Sequence, residues 1–376
     1  MTPFLRKLLG MNWILFTAMI ALALAGILFI NGASYMHLEE RYWQKQTLWV
    51  VLGLIAFMGA SLVDYRLLKW LALPLYIFSV IMVALTHSPL GKEINGAKCW
   101  IPIPGVGLFQ PSQLAVISGV LLVALFISKY PQIHPFFRLV VTGAIVAPPM
   151  FLTLIQPDNG MTLVWVPVIM SILWLGGIPK RWIILVILIG LTLLPPAICF
   201  GLKPHARARM VTFQDPDIDP QGIGYSLNQC MIAIGSGGFG GKGFKAPDTQ
   251  LELKMIPPDE AHTDFIFATI GEQWGYFGGI AVIGGFTVLI ISCLLTARQA
   301  SDGFGMLLCI GFTAQIFFHV YQNIGMTIAL MPITGLPLPL ISYGGTFVLM
   351  IMFALGLVNS VWVHRKETTP VRDHYS

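Results

Sequence analysis

The chain has 376 residues, of which 56% are hydrophobic and only 10% charged, with a net charge of +5 and a mean hydropathy of +0.77. A soluble domain carries roughly 25% charged residues, so the composition excludes a soluble globular protein, and so small a basic excess is no nucleic-acid footprint. The five cysteines, Cys99, Cys199, Cys230, Cys293 and Cys309, form no CxxC pair and no Cys/His cluster, which argues against a disulfide framework or a zinc site.

Apolar stretches of roughly 18 residues or more recur along the chain, the signature of transmembrane helices. The reading is an all-α polytopic membrane protein, a single integral-membrane unit over residues 1–376. The first apolar run follows Arg6 and Lys7, is too long for a signal peptide and is read as an uncleaved span. Ten helices are predicted, at about 12–31, 46–63, 68–86, 111–128, 137–155, 160–177, 181–200, 265–296, 303–331 and 341–363. With the N-terminus inside, twelve lysines and arginines fall on the inner side and four in the short outer loops. Six more lie in the long segment 201–263, where the positive-inside rule is weak. Both termini are therefore predicted to be cytoplasmic, with one long extracytoplasmic loop between helices seven and eight and a short polar tail over 364–376.

This orientation gathers the irregular motifs on the outer face. Gln110-Pro111-Ser112 opens the fourth helix, and QPDNG (156–160) joins the fifth to the sixth. EAHTD (260–264) leads into the eighth, and PITGLPLPLISYGG (332–345) into the tenth. Non-helical backbone at membrane depth is tolerated only where protein or water covers it, so several such breaks on one face suggest a shared outward cavity.

Each motif admits a bland and a functional reading. GSGGFGGKGF (235–244) fails the Walker A pattern, with Ser236 at the first glycine and Gly243 at the Ser/Thr position. What remains is a Gly-rich turn with solvated lysines, or a loop whose backbone N–H groups and Lys242 and Lys245 wrap an anionic headgroup. Arg207 and Arg209 either anchor the chain at the interface or pair with diphosphate oxygens. Asp215, Asp217 and Asp219 read as turn formers beside Pro216 and Pro220, not as an EF-hand. Asp158 is placed to cap the sixth helix. Thr263 or Asp264 is placed to cap the eighth, without a capping-box partner; alternatively Asp264 is a base held at a hydrophobic boundary. Glu272 and Gln273, two turns deeper, are intramembrane polar groups and so functional candidates.

Together, HTDFIFATIGEQWG (262–275), IAIGSGGFGGKGF (232–244), FQDPDIDPQGIGY (213–225), QPDNGMT (156–162) and NIGM…PITGLPLPLISYGG (323–345) resemble the SEDS family. These are the ten-helix cell-shape, division and sporulation proteins of bacteria. The glycine-rich and NIGM…SYGG motifs are nearer to the elongation member than to the division member. The resemblance implies a multi-pass protein of the bacterial inner membrane that polymerises lipid II, a disaccharide-pentapeptide on undecaprenyl diphosphate. The transfer is inverting, and Asp264 is the general base. Arg207, Arg209 and Lys242, or a divalent metal such as Mg or Mn, would meet the leaving diphosphate. Asp158, Lys98, His262, Ser342 and Tyr343 are further substrate-binding candidates, with Glu272, Gln273, Gln110 and Ser112 in support. The implied partner is a class B penicillin-binding protein, beside membrane lipid.

The chain departs from the family pattern NGAxRWI…QPSE in one region. Cys99 stands at the Arg position, Gln113 at the Glu position, and Val116 where a Lys three residues beyond is usual. Losing both members of an i, i+3 ion pair strands no buried charge, so the fold is expected to survive. Lys98 is the candidate to replace the Arg charge in part. Two other functions stay open at this point. One is a lipid II flippase or transporter, although no inverted repeat is visible. The other is an inactive scaffold that recruits the penicillin-binding protein.

Overall fold

A computed structural model describes residues 3–34, 41–94, 96–104, 107–196 and 223–365. Each of the ten expected spans is a helix. They are α2 (Trp13–Ala33), α3 (Tyr42–Leu62), α4 (Leu68–Leu85), α5 (Pro111–Lys129), α6 (Pro135–Ile155), α7 (Asn159–Leu175), α8 (Lys180–Pro196), α11 (Ile266–Arg298), α12 (Gly303–Thr327) and α13 (Gly345–Val363). Eight of these are long and apolar enough to cross a membrane; α7 and α8 have 17 residues each. The sequence reading missed four small elements: α1 (Pro3–Leu9), α9 (Ile223–Gly237), α10 (Pro258–Ala261) and a three-stranded antiparallel sheet. The sheet comprises β1 (Lys92–Ile94), β2 (Ala97–Ile103) and β3 (Gly107–Phe109), all in the outer connection before α5. Residues 197–222, with Arg207, Arg209, Asp215, Asp217 and Asp219, lie outside the described residues, as does the tail from Lys366.

Burial sorts the helices into a centre and a rim. In α5, α12 and α13, 72% of the apolar span is buried, against 17% for the span ending in α4 and 28% for α6. The rim helices turn large apolar side chains outward, such as Trp70, Ile77 and Phe78 on α4 and Phe137 and Phe151 on α6. Polar groups face inward and bond across helices, as the absence of water in a bilayer core requires. Ser79 and Ser118 hydroxyls are 2.6 Å apart, and Gln156 Nε2 donates to Val83 O and Thr86 Oγ1. At the inner end, Asn12 caps α2 while its amide Nδ2 donates to Thr296 on α11 and its backbone N–H to Asn359 on α13.

Two features shape the half expected to face outward. The segment between α12 and α13 re-enters the protein without helical structure, and Leu336, Leu338, Leu340 and Ile341 are at most 1% exposed. It lies across the middle of α2 at Gly26, where a Cβ would collide with the backbone of Leu340 and Ile341. The second feature is a break in α11. At 33 residues it would run about 50 Å as one straight helix. Gly275, however, takes φ 64° and ψ −158°, outside helical space, and the helix is interrupted there.

The glycine-rich turn plugs that break. Lys242 N–H donates to Glu272 O at 2.9 Å and Gly243 N–H to Gln273 O at 3.1 Å. In return Tyr276 N–H donates to Gly238 O at 2.8 Å and Phe277 N–H to Phe239 O at 3.2 Å. These four bonds replace the helical ladder that Gly275 gives up. Around them, Cys230, Ala233, Leu251, Ile256, Ala261, Phe265 and Ala268 form a small separate core that holds the loop on the outer end of α11.

Gly275 sits in a backbone region that is essentially glycine-only, where a side chain costs about 1–3 kcal/mol before any clash. A Cβ there would also overlap Gly241 N and crowd the carbonyls of Phe239 and Gly238. Gly275→Ala should lower the apparent melting temperature of the purified protein by several degrees. Gly284→Ala, with open space around its Cβ, should not. Equal melting of the two variants would refute the interlock.

Candidate active site

Asp264 stands just ahead of α11, whose N-cap is Phe265. Thr263 Oγ1 donates backwards to Asp259 O and Glu260 O. The expectation that Thr263 caps the helix is therefore corrected. Asp264 is placed by its backbone: Asn323, fully buried on α12, donates its Nδ2 to Asp264 O at 2.9 Å and to Leu336 O at 2.8 Å. The Asp264 carboxylate lies against Gly335, where a Cβ would stand 3.3 Å from Oδ2. Gly335 has φ +71°, so both the turn and the carboxylate's space need glycine at this position.

The neighbouring candidates converge on the same place. Ser342 donates its hydroxyl to Thr263 O at 2.5 Å and receives Leu338 N–H at 2.8 Å, while Tyr343 N–H donates to His262 O at 2.9 Å. The buried His262 ring stacks on Tyr42 at 4.2 Å, and Tyr343 meets both rings. Gln46, fully buried on α3, donates to Ser342 O and accepts from Gly344 N–H. Tyr42, Gln46 and Asn323 were not singled out from sequence. Asn323 does fall inside the NIGM motif, whereas Tyr42 and Gln46 carry no local signal.

Asp158 is on the other side of the re-entrant segment. It caps α7 as expected, with Oδ1 accepting Met161 N–H at 3.1 Å and Oδ2 accepting Gln110 Nε2 at 2.8 Å. Gly160, in the first turn of α7, packs so closely on Thr334 O and Leu336 that a Cβ would not fit. Asp158 and Asp264 thus flank one short stretch, 334–336. Burial pushes the Asp158 carboxyl up to about 6, against the lowering effect of the Met161 and Gln110 hydrogen bonds.

The third group is bound up with the loop. Lys242 Nζ is 2.7 Å from Glu272 Oε1, which also accepts Gln250 N–H at 2.7 Å. Lys242 Nζ further donates to Asp248 O. The loop's Lys242 and Gly243 N–H groups, expected to be available for a headgroup, are spent on α11 carbonyls. Gln273 donates its Nε2 to Gly32 O at 3.1 Å and ties α11 to α2. Glu272 therefore holds the loop on α11 and Gln273 holds α2 to it, while Lys242 is already paired.

The region of family departures is absorbed by packing. Cys99 is 4% exposed and Val116 fully buried. Burial pushes the Cys99 thiol up to about 12, with the Asp158 carboxylate adding to the effect. Lys98 is half-buried on β2, where successive residues point to opposite faces, and the Asp158 carboxyl is bonded by Gln110 and the Met161 N–H. Gln113 donates to Met161 Sδ, but its Oε1 and the nearby Ser112 Oγ are buried without a partner. Among the described residues no three His, Cys, Asp or Glu side chains converge to hold a metal.

Two stability predictions follow from these pairs. The Glu272 side chain is wholly buried and that of Lys242 is 27% exposed. Lys242→Met should therefore cost about 3–5 kcal/mol by stranding a buried carboxylate. Glu272→Gln should cost less, because the lysine can turn to solvent, and the double variant should recover much of the loss. Denaturation of the three variants decides, and equal single-variant losses would count against it. For Asp158, a carboxyl near 3.9 when unfolded and near 6 when folded is favoured in the folded state only at low pH. That advantage falls away as pH rises from about 4 to 6. Because the residue keeps an open edge, the change should be on the order of 1 kcal/mol. Asp158→Asn should therefore gain on wild type in melting temperature between pH 4 and 7; parallel curves would contradict the assignment.

A family model described as cell cycle protein, spanning FtsW, RodA and SpoVE, matches residues 7–367. The peptidoglycan glycosyltransferase RodA of Treponema pallidum is 30% identical, with 95% of this chain and 98% of that protein covered. The peptidoglycan glycosyltransferase MrdB of Escherichia coli K12 is 32% identical over 84% of each. Among solved structures, a chain of a peptidoglycan synthase complex that coordinates polymerization and crosslinking matches with a TM-score of 0.78 at 28% identity, covering 94% of this chain and 97% of that one. The rod shape determining protein RodA of Thermus thermophilus matches with a TM-score of 0.70 at 27% identity, covering 95% and 98%. The chain belongs to the FtsW, RodA and SpoVE family of cell cycle proteins, the family its outer-face motifs resemble.

Proposed function

We propose that this protein polymerises lipid II into glycan strands by an inverting transfer in which Asp264 is the general base. Peptidoglycan glycosyltransferase activity in the bacterial inner membrane is the function its relatives carry. The transporter and scaffold readings are not favoured. One observation carries the assignment of the base. Asp264 is a half-buried acidic residue at the meeting point of three outer motifs, its backbone carbonyl held by Asn323 and that of Thr263 by Ser342.

In this mechanism the acceptor's 4-hydroxyl gives its proton to the Asp264 carboxylate as its oxygen bonds to the donor's C1. The C1–diphosphate bond breaks on the opposite side, and the undecaprenyl diphosphate leaves with the electron pair. His262, Tyr42 and Tyr343 offer an aromatic wall for a sugar ring, with Ser342 holding the backbone behind them. Asp158 orients substrate hydroxyls from the far side of 334–336. Positive charge for the diphosphate comes from Arg207 and Arg209, since Lys242 is held by Glu272. The partner is a class B penicillin-binding protein, which cross-links the product strands.

The test is polymerisation of labelled lipid II by the full-length protein with its partner transpeptidase. General-base catalysis is worth about 10²- to 10⁴-fold. Asp264→Asn and Asp264→Ala should each lose at least about 100-fold on that ground, at unchanged melting temperature. Glycan chains made by Asp264→Asn at the wild-type rate would remove Asp264 from the role. No chains from wild type, with the partner's own activity intact, would remove the function.

A further inference from the structure

A cavity of about 430 Å³ opens on the inner face, far from Asp264, between the start of α4, the end of α5 and the start of α12. Inner refers to the side made cytoplasmic by the twelve-to-four excess of basic residues. Lys69, Lys129 and Ser128 supply its polar lining, and Trp70, Leu125 and Phe304 its apolar lining. The charges do not cancel. Asp302 is fully engaged: Oδ1 accepts the Tyr65 hydroxyl at 2.7 Å and Gly305 N–H at 3.0 Å, and Oδ2 takes Lys69 at 2.7 Å. It neutralises Lys69 only. Lys129 makes no ion pair among the described residues, and its Nζ is 5.4 Å from the Tyr130 ring centroid. The cavity therefore keeps one net positive charge, and Lys69 retains donors beyond the one on Asp302.

The rim identifies the kind of ligand. Trp70 is 85% exposed, and further along the same helix Leu71, Leu73 and Phe78 are exposed as well. These residues form the lipid-facing side of α4, so the cavity opens where hydrocarbon meets the inner headgroups. Tryptophan is favoured at that boundary, and basic pockets between helices on the cytoplasmic side suit anionic headgroups. A soluble phosphate would have no use for such an apolar rim.

We propose that this cavity binds the phosphate of an anionic phospholipid of the inner leaflet between Lys69 and Lys129, with an acyl chain laid past Trp70 along α4. Native mass spectrometry of the full-length protein tests it, with phosphatidylglycerol and phosphatidylcholine of identical chains and with inorganic phosphate as probes. Wild type should bind its first phosphatidylglycerol about tenfold more tightly than phosphatidylcholine, as expected for a charge-selective site. Lys129→Gln should erase most of that preference, Lys129→Arg should keep it, and Trp70→Ala should weaken both lipids. Lys129 is exposed at a helix end, so its variants should melt as wild type does. Equal binding of the two lipids, or an undiminished preference in Lys129→Gln, would overturn the proposal. So would inorganic phosphate that competes as well as the lipid, since the site would then serve a soluble ion.

Discussion

The outer half depends on one constraint: a stretch of non-helical backbone lies inside the protein at membrane depth, and its polar groups must be satisfied there. Side chains from other helices do this. Asn323 takes Leu336 O, Gln322 takes Pro332 O, His319 bonds Pro337 O, and Gln46 bonds both Ser342 O and Gly344 N–H. Because Asn323 also holds Asp264 O, the groups that make the re-entrant segment possible are the groups that aim the carboxylate. Fold and site are therefore not separable here. A change that frees the segment also moves Asp264.

The break in α11 solves a related problem. A straight helix of that length would overrun the bilayer, and its outer end would need support. The glycine-rich turn gives that support by exchanging backbone hydrogen bonds with residues 272–277, and the Lys242–Glu272 pair pins the turn from the side. Eight residues separate Glu272 from Asp264, on the order of 12 Å of helix rise. The ion pair thus steadies the element from which Asp264 projects without being placed to touch the reacting atoms.

Much of this was legible in the sequence, for reasons that differ by feature. Spans were readable because hydrophobic runs report the bilayer directly, and all ten expected helices are present. Asp158 as a cap was readable because an acidic residue before a helix has a local reason to be there. The fate of Asp264 and of the glycine-rich turn was not. Nothing local says that Phe265 begins the helix, or that Lys242 and Gly243 N–H groups spend themselves on carbonyls some thirty residues away. Tyr42 and Gln46 were invisible for the same reason: their partners, His262 and Ser342, lie more than 200 residues on. The small sheet before α5 was missed because its strands are three to seven residues long and interrupted by Gly and Pro.

The departures at 99, 113 and 116 show how a membrane core tolerates the loss of charge. Val116 is buried among apolar neighbours, and Gln113 still spends its amide on Met161. What is left is an unpartnered Gln113 Oε1 and Ser112 Oγ, neutral groups whose burial costs far less than a stranded ion. Cys99 is the more consequential change, because the Asp158 carboxylate is near enough to act on its thiol electrostatically. A buried thiol offers no charge, and Gln110 and the Met161 N–H bond the Asp158 carboxyl. The result is a carboxyl lifted toward neutral pH on one side of residues 334–336 and Asp264 on the other. Asp158 is therefore suited to donate a hydrogen bond at a higher pH than an ordinary carboxyl could.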